Sequence, residues 1–402
     1  MCSLKFLVIF LILLAGCQTP PIRAISQSEL EQGFSDYIAG YQKDLESISA
    51  RTFDRIQMEY QRSLDSTETK PQSYDVLILS GGGAFGSFGI GFLEGWGTVE
   101  NEVFSRPDFD SVSGISTGAL IAPFAFLGTE KAYSQILDLY KNPQRNWVRK
   151  RGIIPYLPGN VSIFDVSDLH KKIRSVITPD LINDIAKKAN ENRLLLIGAT
   201  NLDYGFSRVW DVAQLAIESS TEEALKLSTS LLLASTAIPG AFPPILIDDY
   251  MYVDGGATMQ FVTGLDERSW VYSRDPVSFH FVKKNKPINI RVWIVINQKL
   301  LPDKKVVGTR WTAVAQRSLG TLIRSSTLQS LQDMETYVQL IDQYSEINAE
   351  MRYVAIPQDF SVPDSDEMFD TYTMRKLLAL GQEMGRKPTS WKSRALRPGA
   401  PF

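Results

Sequence analysis

The sequence predicts an α/β fold in which a sheet is covered on both faces by helices, and three observations predict it. Several of the expected strands, among them 75–80, 194–199 and 289–296, contain continuous apolar runs, such as 76–79, 194–197 and 292–296, so strands made from them have little face left for water. Two of the predicted strands end in glycine-rich turns, at 81–83 and 114–118, and each turn leads into a stretch with the pattern of a helix. At 402 residues, 44% of them hydrophobic, the chain is long enough to enclose such a sheet in a large core.

The first 16 residues read as an export signal. They carry one charge, Lys5, ahead of the apolar run 6–14, which is too short to stay in a bilayer as a spanning helix. The run ends in Leu14-Ala15-Gly16-Cys17, which resembles a bacterial lipobox, and that resemblance implies that Cys17 becomes the acylated first residue of the mature chain. The only other cysteine, Cys2, sits inside the segment that would be removed, so no structural disulfide is expected. Gln18 is not the aspartate associated with inner-membrane retention, which favours a lipid anchor in the outer membrane, facing the periplasm.

Residues 17–72 are polar and helix-prone, a tether followed by a helical preface. Residues 73–300 alternate strands and helices, with strands expected at 75–80, 111–113, 194–199, 209–212, 250–253 and 289–296. Residues 301–402 are mostly helical, with amphipathic helices at 311–344 and 368–384, one strand at 352–356, and the role of covering one side of the sheet or shaping a pocket. A formal net charge of −3 and the lack of a polybasic tail give no reason to expect nucleic acid as a partner. No Cys/His spacing suggests a metal.

Chemistry enters with Ser80-Gly81-Gly82-Gly83-Ala84-Phe85-Gly86, where a buried strand runs through glycines into a helix start. Backbone N–H groups released by such a turn, beside the positive end of a helix, bind an anion: a nucleotide phosphate, or the oxyanion of an acyl intermediate. Gly114-Ile115-Ser116-Thr117-Gly118 lies between a strand and the apolar helix 119–127 and has the pattern of a nucleophile elbow. Its flanking glycines leave room for a sharp turn that projects the serine hydroxyl. A serine needs a base. The two histidines, His170 and His280, read as an exposed helical residue and a strand residue. Asp254, at the end of a strand and followed by Gly255 and Gly256, is the better candidate, because a desolvated carboxylate hydrogen-bonded to a hydroxyl can take its proton.

In this order the glycine loop, the G-x-S-x-G elbow and the D-G-[AG] motif resemble the patatin-like phospholipases. The segments 199–205 and 234–244 are similar to that family's inner blocks, so the resemblance covers about 74–298. It implies a three-layer α/β/α fold and a Ser116–Asp254 dyad. Gly82 and Gly83 would supply N–H groups to the oxyanion, Gly81 and Gly86 would shape the loop, and no metal or cofactor is implied. The implied substrates are phospholipids, lysophospholipids or related lipids. Phe85 stands where many relatives carry a basic residue, which puts headgroup recognition in question but not acyl chemistry.

Three other readings stay open at this level. An α/β-hydrolase triad of Ser116, Asp254 and His280 fits the chain order, but the interval from Gly83 to Ser116 has room for only one helix and one strand. A lipid-binding scaffold with a worn-out hydrolase fold is the second. The third, a dinucleotide-binding enzyme, lacks a convincing acidic residue at the ribose-reading interval after the glycine loop. A further cluster, Arg145 to Arg151 with Trp147 followed by 153–158, mixes cations with apolar residues and reads either as an interfacial lid or as a solvated loop.

Overall fold

The computed structural model describes residues 23–65, 72–101, 103–151, 161–265, 288–343, 347–361 and 367–397. The expected export signal with Cys17, the strand around His280 and the segment 153–158 fall outside the described residues.

Helix α1 (Gln27–Asp65) leads into strand β1 (Ser73–Leu79), then α2 (Gly86–Trp96), β2 (Ser111–Ile115), α3 (Thr117–Leu127) and α4 (Glu130–Lys141). A small hairpin of β3 (Arg149–Lys150) and β4 (Phe164–Asp165) precedes α5 (Ser167–Val176) and α6 (Pro179–Ala189). Next come β5 (Leu194–Asn201), β6 (Phe206–Asp211), α7 (Val212–Glu218), α8 (Thr221–Ser235), β7 (Ile245–Ile247) and β8 (Tyr250–Asp254). The chain continues through β9 (Ile288–Ile296), α9 (Trp311–Gln343), β10 (Ile347–Ala355) and α10 (Thr371–Gly385).

The main sheet runs β10-β9-β1-β2-β5-β8-β7, with β6 also paired to β5. The five strands from β10 to β5 are parallel, while β6 and β8 are antiparallel to β5. Because side chains alternate across a strand, each apolar run supplies two cores at once. Leu77, Leu79, Trp293, Val295 and Val354 face one core, shared with α2, α3 and α10. Val76, Ile78, Val292, Ile294, Met351 and Tyr353 face the other, with Ile56 and Tyr60 of α1 and Leu331, Met334 and Val338 of α9. Helices therefore cover both faces of a mixed sheet, the three-layer α/β/α arrangement.

Three boundaries differ from the expectation, each for a local reason. The strand expected at 209–212 is β6 at 206–211, because the Asp211 carboxylate accepts the N–H groups of Ala213 and Gln214 and so starts α7. The helix expected from 368 begins at Thr371, capped by Asp370. The strand near 352 is longer than expected and is the parallel neighbour of β9, so the sheet extends past residue 300.

The helical preface is a layer of the fold as well as a leader. Arg55 of α1 is 1% exposed and pairs with Asp110 at 2.8 Å and Glu59 at 2.6 Å. Arg51 pairs with Asp211 and donates to the Arg193 carbonyl at 2.8 Å. These buried ion pairs join a polar-looking helix to the sheet at the ends of β2, β5 and β6. Among the described residues, no helix is long and apolar enough to cross a membrane.

Candidate active site

Ser116 and Asp254 meet because two strands share one edge of β5 from opposite directions. β2 runs parallel to the first part of β5, with Ile115 opposite Gly198, and β8 runs antiparallel to the last part, with Asp254 opposite Ala199. Since β6 occupies the other edge across the same residues, β2 and β8 lie end to end. The residue after β2 is Ser116, and the last residue of β8 is Asp254.

Ser116 sits in a sharp turn with φ 56° and ψ −125°, a conformation that costs a non-glycine residue about 1–3 kcal/mol and persists only where the surroundings enforce it. Gly114 and Gly118 permit it. A Cβ on Gly114 would overlap the Gly118 carbonyl, and one on Gly118 would overlap the Leu79 carbonyl. Ser235, at the end of α8, enforces it: its hydroxyl accepts the Ser116 N–H at 3.0 Å and donates to the Gly198 carbonyl at 2.7 Å.

Asp254 is 6% exposed, and its carboxylate accepts the Gly256 N–H at 2.8 Å. Burial dominates its ionisation and pushes its pKa up to about 6, opposed by the neighbouring Ser116 side chain and the Gly256 N–H. Two polar side chains hold the turn behind it. Thr200 donates to the Asp254 carbonyl at 3.0 Å, and the buried Gln260 amide donates to the Gly256 carbonyl at 3.1 Å.

The glycine loop leaves β1 alongside the serine, with Gly81 next to the Ser116 Cβ. Gly83 adopts φ +56°, which a side chain would resist, and Gly86 presses against Thr117 at the start of α3. The loop delivers the backbone of Gly82 and Gly83 to the N-terminal end of α2, where the helix contributes partial positive charge. Among the described residues, only α2 and β2 separate this loop from Ser116, as the spacing required.

Ser116, Asp254, Gly256 and Gly81 to Gly83 open onto a cavity of about 320 Å³. Its walls are apolar: Phe85 from the loop, Leu120 from α3, Leu169 and Ile173 from α5, Leu319 and Ile323 from α9, and Met368, Phe369 and Met374 from around α10. Trp147 is 4% exposed and is part of that wall, in edge contact with Phe369, so sequence reading missed a site residue there. The cations around it are engaged, Arg145 with Glu367, and Arg149 with Asp165 and Asp168. His170 is half-buried on α5, not exposed as expected, and burial lowers its pKa. It does not line the cavity, although its neighbour Leu169 does. Among the described residues no cluster of three or more His, Cys, Asp or Glu could hold a metal ion.

The crystal structure of VipD from Legionella pneumophila is similar over 81% of this chain and 68% of its own, at 12% identity and a TM-score of 0.35. No curated protein matches the chain. The family model of the patatin-like phospholipases matches residues 77–264, from β1 through the glycine loop, the Ser116 elbow and the Asp254 turn. Over those residues the chain is a patatin-like phospholipase domain, and the family places it among the lipid acyl hydrolases.

Proposed function

We propose that the protein cleaves fatty acyl ester bonds of phospholipids or lysophospholipids with Ser116 as nucleophile and Asp254 as its base. The observation that carries this reading is a serine in a strained turn and a desolvated carboxyl that line the same apolar cavity beside the glycine loop. In the first step the Ser116 oxygen attacks the ester carbonyl carbon while its proton passes to Asp254. The N–H groups of Gly82 and Gly83 stabilise the charge that collects on the carbonyl oxygen, helped by the end of α2. As the intermediate collapses, the alcohol leaves with the proton held on Asp254 and the acyl group stays on Ser116. Water then attacks the acyl-enzyme, again giving a proton to Asp254, and the released serine recovers it. Cys17 acylation would tether the enzyme to the periplasmic face of the outer membrane, beside such substrates.

The test uses short p-nitrophenyl esters and a fluorophosphonate. Ser116→Ala should lose turnover and labelling together, with peptide mass spectrometry of the wild type placing the label on Ser116, while His280→Ala should keep its activity. Labelling of a different side chain, or loss of activity on removing His280 from a folded protein, overturns the dyad. A well-folded wild type without turnover on any ester would leave the lipid-binding alternative.

A further inference from the structure

The α9 side of the cavity carries a feature that the acyl chemistry does not use. Residues 302–310 are all exposed, and along the first half of α9 no side chain is buried before Thr327. Leu319 and Ile323, one turn apart, line the cavity. A different face of the same helix carries Trp311, Val314, Ala315, Ser318 and Leu322, whose spacing of i, i+3, i+4, i+7 and i+11 keeps them in one stripe. Val314 is 48% exposed, Leu322 67%, and Val306 in the preceding loop 96%.

The charge here is one-sided. Between Asp303 and Asp333 the chain has five basic residues and no acidic one. Asp303 is itself engaged by Lys299 at 2.8 Å, and its backbone carbonyl accepts from Arg317. Among the described residues, no carboxylate pairs with Lys304, Lys305, Arg310 or Arg317. This contrasts with the basic stretch 145–149, where Arg145 and Arg149 are paired and Trp147 is buried.

We propose that loop 302–310 and the exposed stripe of α9 form a docking surface for an anionic phospholipid bilayer. Charge complementarity and mixed composition select this occupant: cations meet lipid phosphates while Val306, Val314 and Leu322 enter the acyl boundary, the division of labour of an interfacial amphipathic helix. Since Leu319 and Ile323 line the cavity on the same helix, docking brings one wall of the cavity to the membrane. The surface thus deepens the hydrolase reading and rests on it only for its purpose.

The experiment uses the full chain with Cys2→Ser, Cys17→Ser and Ser116→Ala, so that the sole thiol is introduced by Val314→Cys and vesicle lipids stay intact. An environment-sensitive fluorophore at position 314 should shift to the blue on vesicles containing phosphatidylglycerol and stay unchanged on pure phosphatidylcholine, while the same label at Thr336→Cys does not respond. Replacing Lys304, Lys305 and Arg310 by Gln should weaken the partitioning roughly a hundredfold, about 1 kcal/mol for each cation at 1.4 kcal/mol per tenfold. With Ser116 restored, those Gln variants should turn over p-nitrophenyl butyrate at the parent rate. No shift at position 314, an equal shift on phosphatidylcholine, or binding indifferent to the Gln substitutions overturns the proposal and points to a protein partner for the stripe. A shift at position 314, with the chain that has Ser116 restored inert on every soluble ester, sinks the hydrolase reading and leaves the surface standing.

Discussion

At the scale of single residues, the site is governed by the conflict between burying a carboxyl and needing its charge. Asp254 works as a base only when ionised, so kcat/KM on a soluble ester should rise with pH through about 6 and level off above it. The same shift has a stability consequence of determined sign. A carboxyl whose pKa rises from 3.8 unfolded to about 6 folded binds its proton more tightly in the native state. It favours folding below pH 4, and that advantage disappears as pH climbs through 6. Asp254→Asn should therefore lose turnover at every pH, yet resist urea better by about 1–3 kcal/mol at pH 8, with the gain shrinking toward pH 4. An unfolding midpoint that drops at pH 8 would contradict the desolvation account. The proposed dyad and its glycines stand out in sequence because each needs a particular residue type at a particular turn. Ser235 and Gln260, which brace the two turns, do not, since a buried serine or glutamine has no signature until the strand it bonds is in place.

At the scale of elements, the strands were legible and the partners of the helices were not. An apolar run such as 289–296 announces a strand buried on both faces, but nothing in it says that β10, from beyond residue 301, will be its parallel neighbour. The packing of the helical preface left no mark in its periodicity, because α1 is held in part by charge. Apolar periodicity detects helices that bury a greasy stripe, whereas α1 adds to its few apolar contacts the buried guanidinium groups of Arg51 and Arg55. Arg55→Leu should accordingly be costly, because Asp110 also accepts the Asp75 N–H at 2.7 Å and stays buried without its cation. Breaking one side of such a pair costs about 3–5 kcal/mol. Burial already raises the Asp110 pKa to about 6, with Arg55 the main opposing influence, so removing the arginine raises it further. The deficit of Arg55→Leu should then widen from pH 5 to pH 8 in urea unfolding, and Asp110→Asn in the same chain should recover part of it. A deficit that ignores pH would mean that α1 is held by its apolar contacts alone.

At the scale of the whole molecule, the proposed reacting groups and much of the cavity wall come from different regions of the chain. The reacting groups and the glycine loop lie within residues 81–256, inside the stretch matched by the family, whereas Leu319, Ile323, Met368, Phe369 and Met374 of the wall lie beyond it. Family resemblance can thus announce the chemistry while leaving the acyl preference unread. The wall assembles only when α9 and α10 fold back across opposite sides of the sheet. A volume of about 320 Å³ is at the small end of ligand pockets, which span roughly 300–1,000 Å³, and its mostly apolar lining suits one acyl chain. Leu319 is half-exposed, so a larger side chain there can be accommodated without forcing the core apart. Leu319→Trp should shorten the cavity from the α9 side, cutting kcat/KM on a dodecanoyl ester more than about tenfold while leaving the butyryl ester within about twofold, the ratio expected when several methylenes lose their contacts. Equal losses on both esters would place the obstruction at the reacting groups, and unchanged values on both would mean that the acyl chain runs elsewhere, along Leu169 and Ile173 of α5.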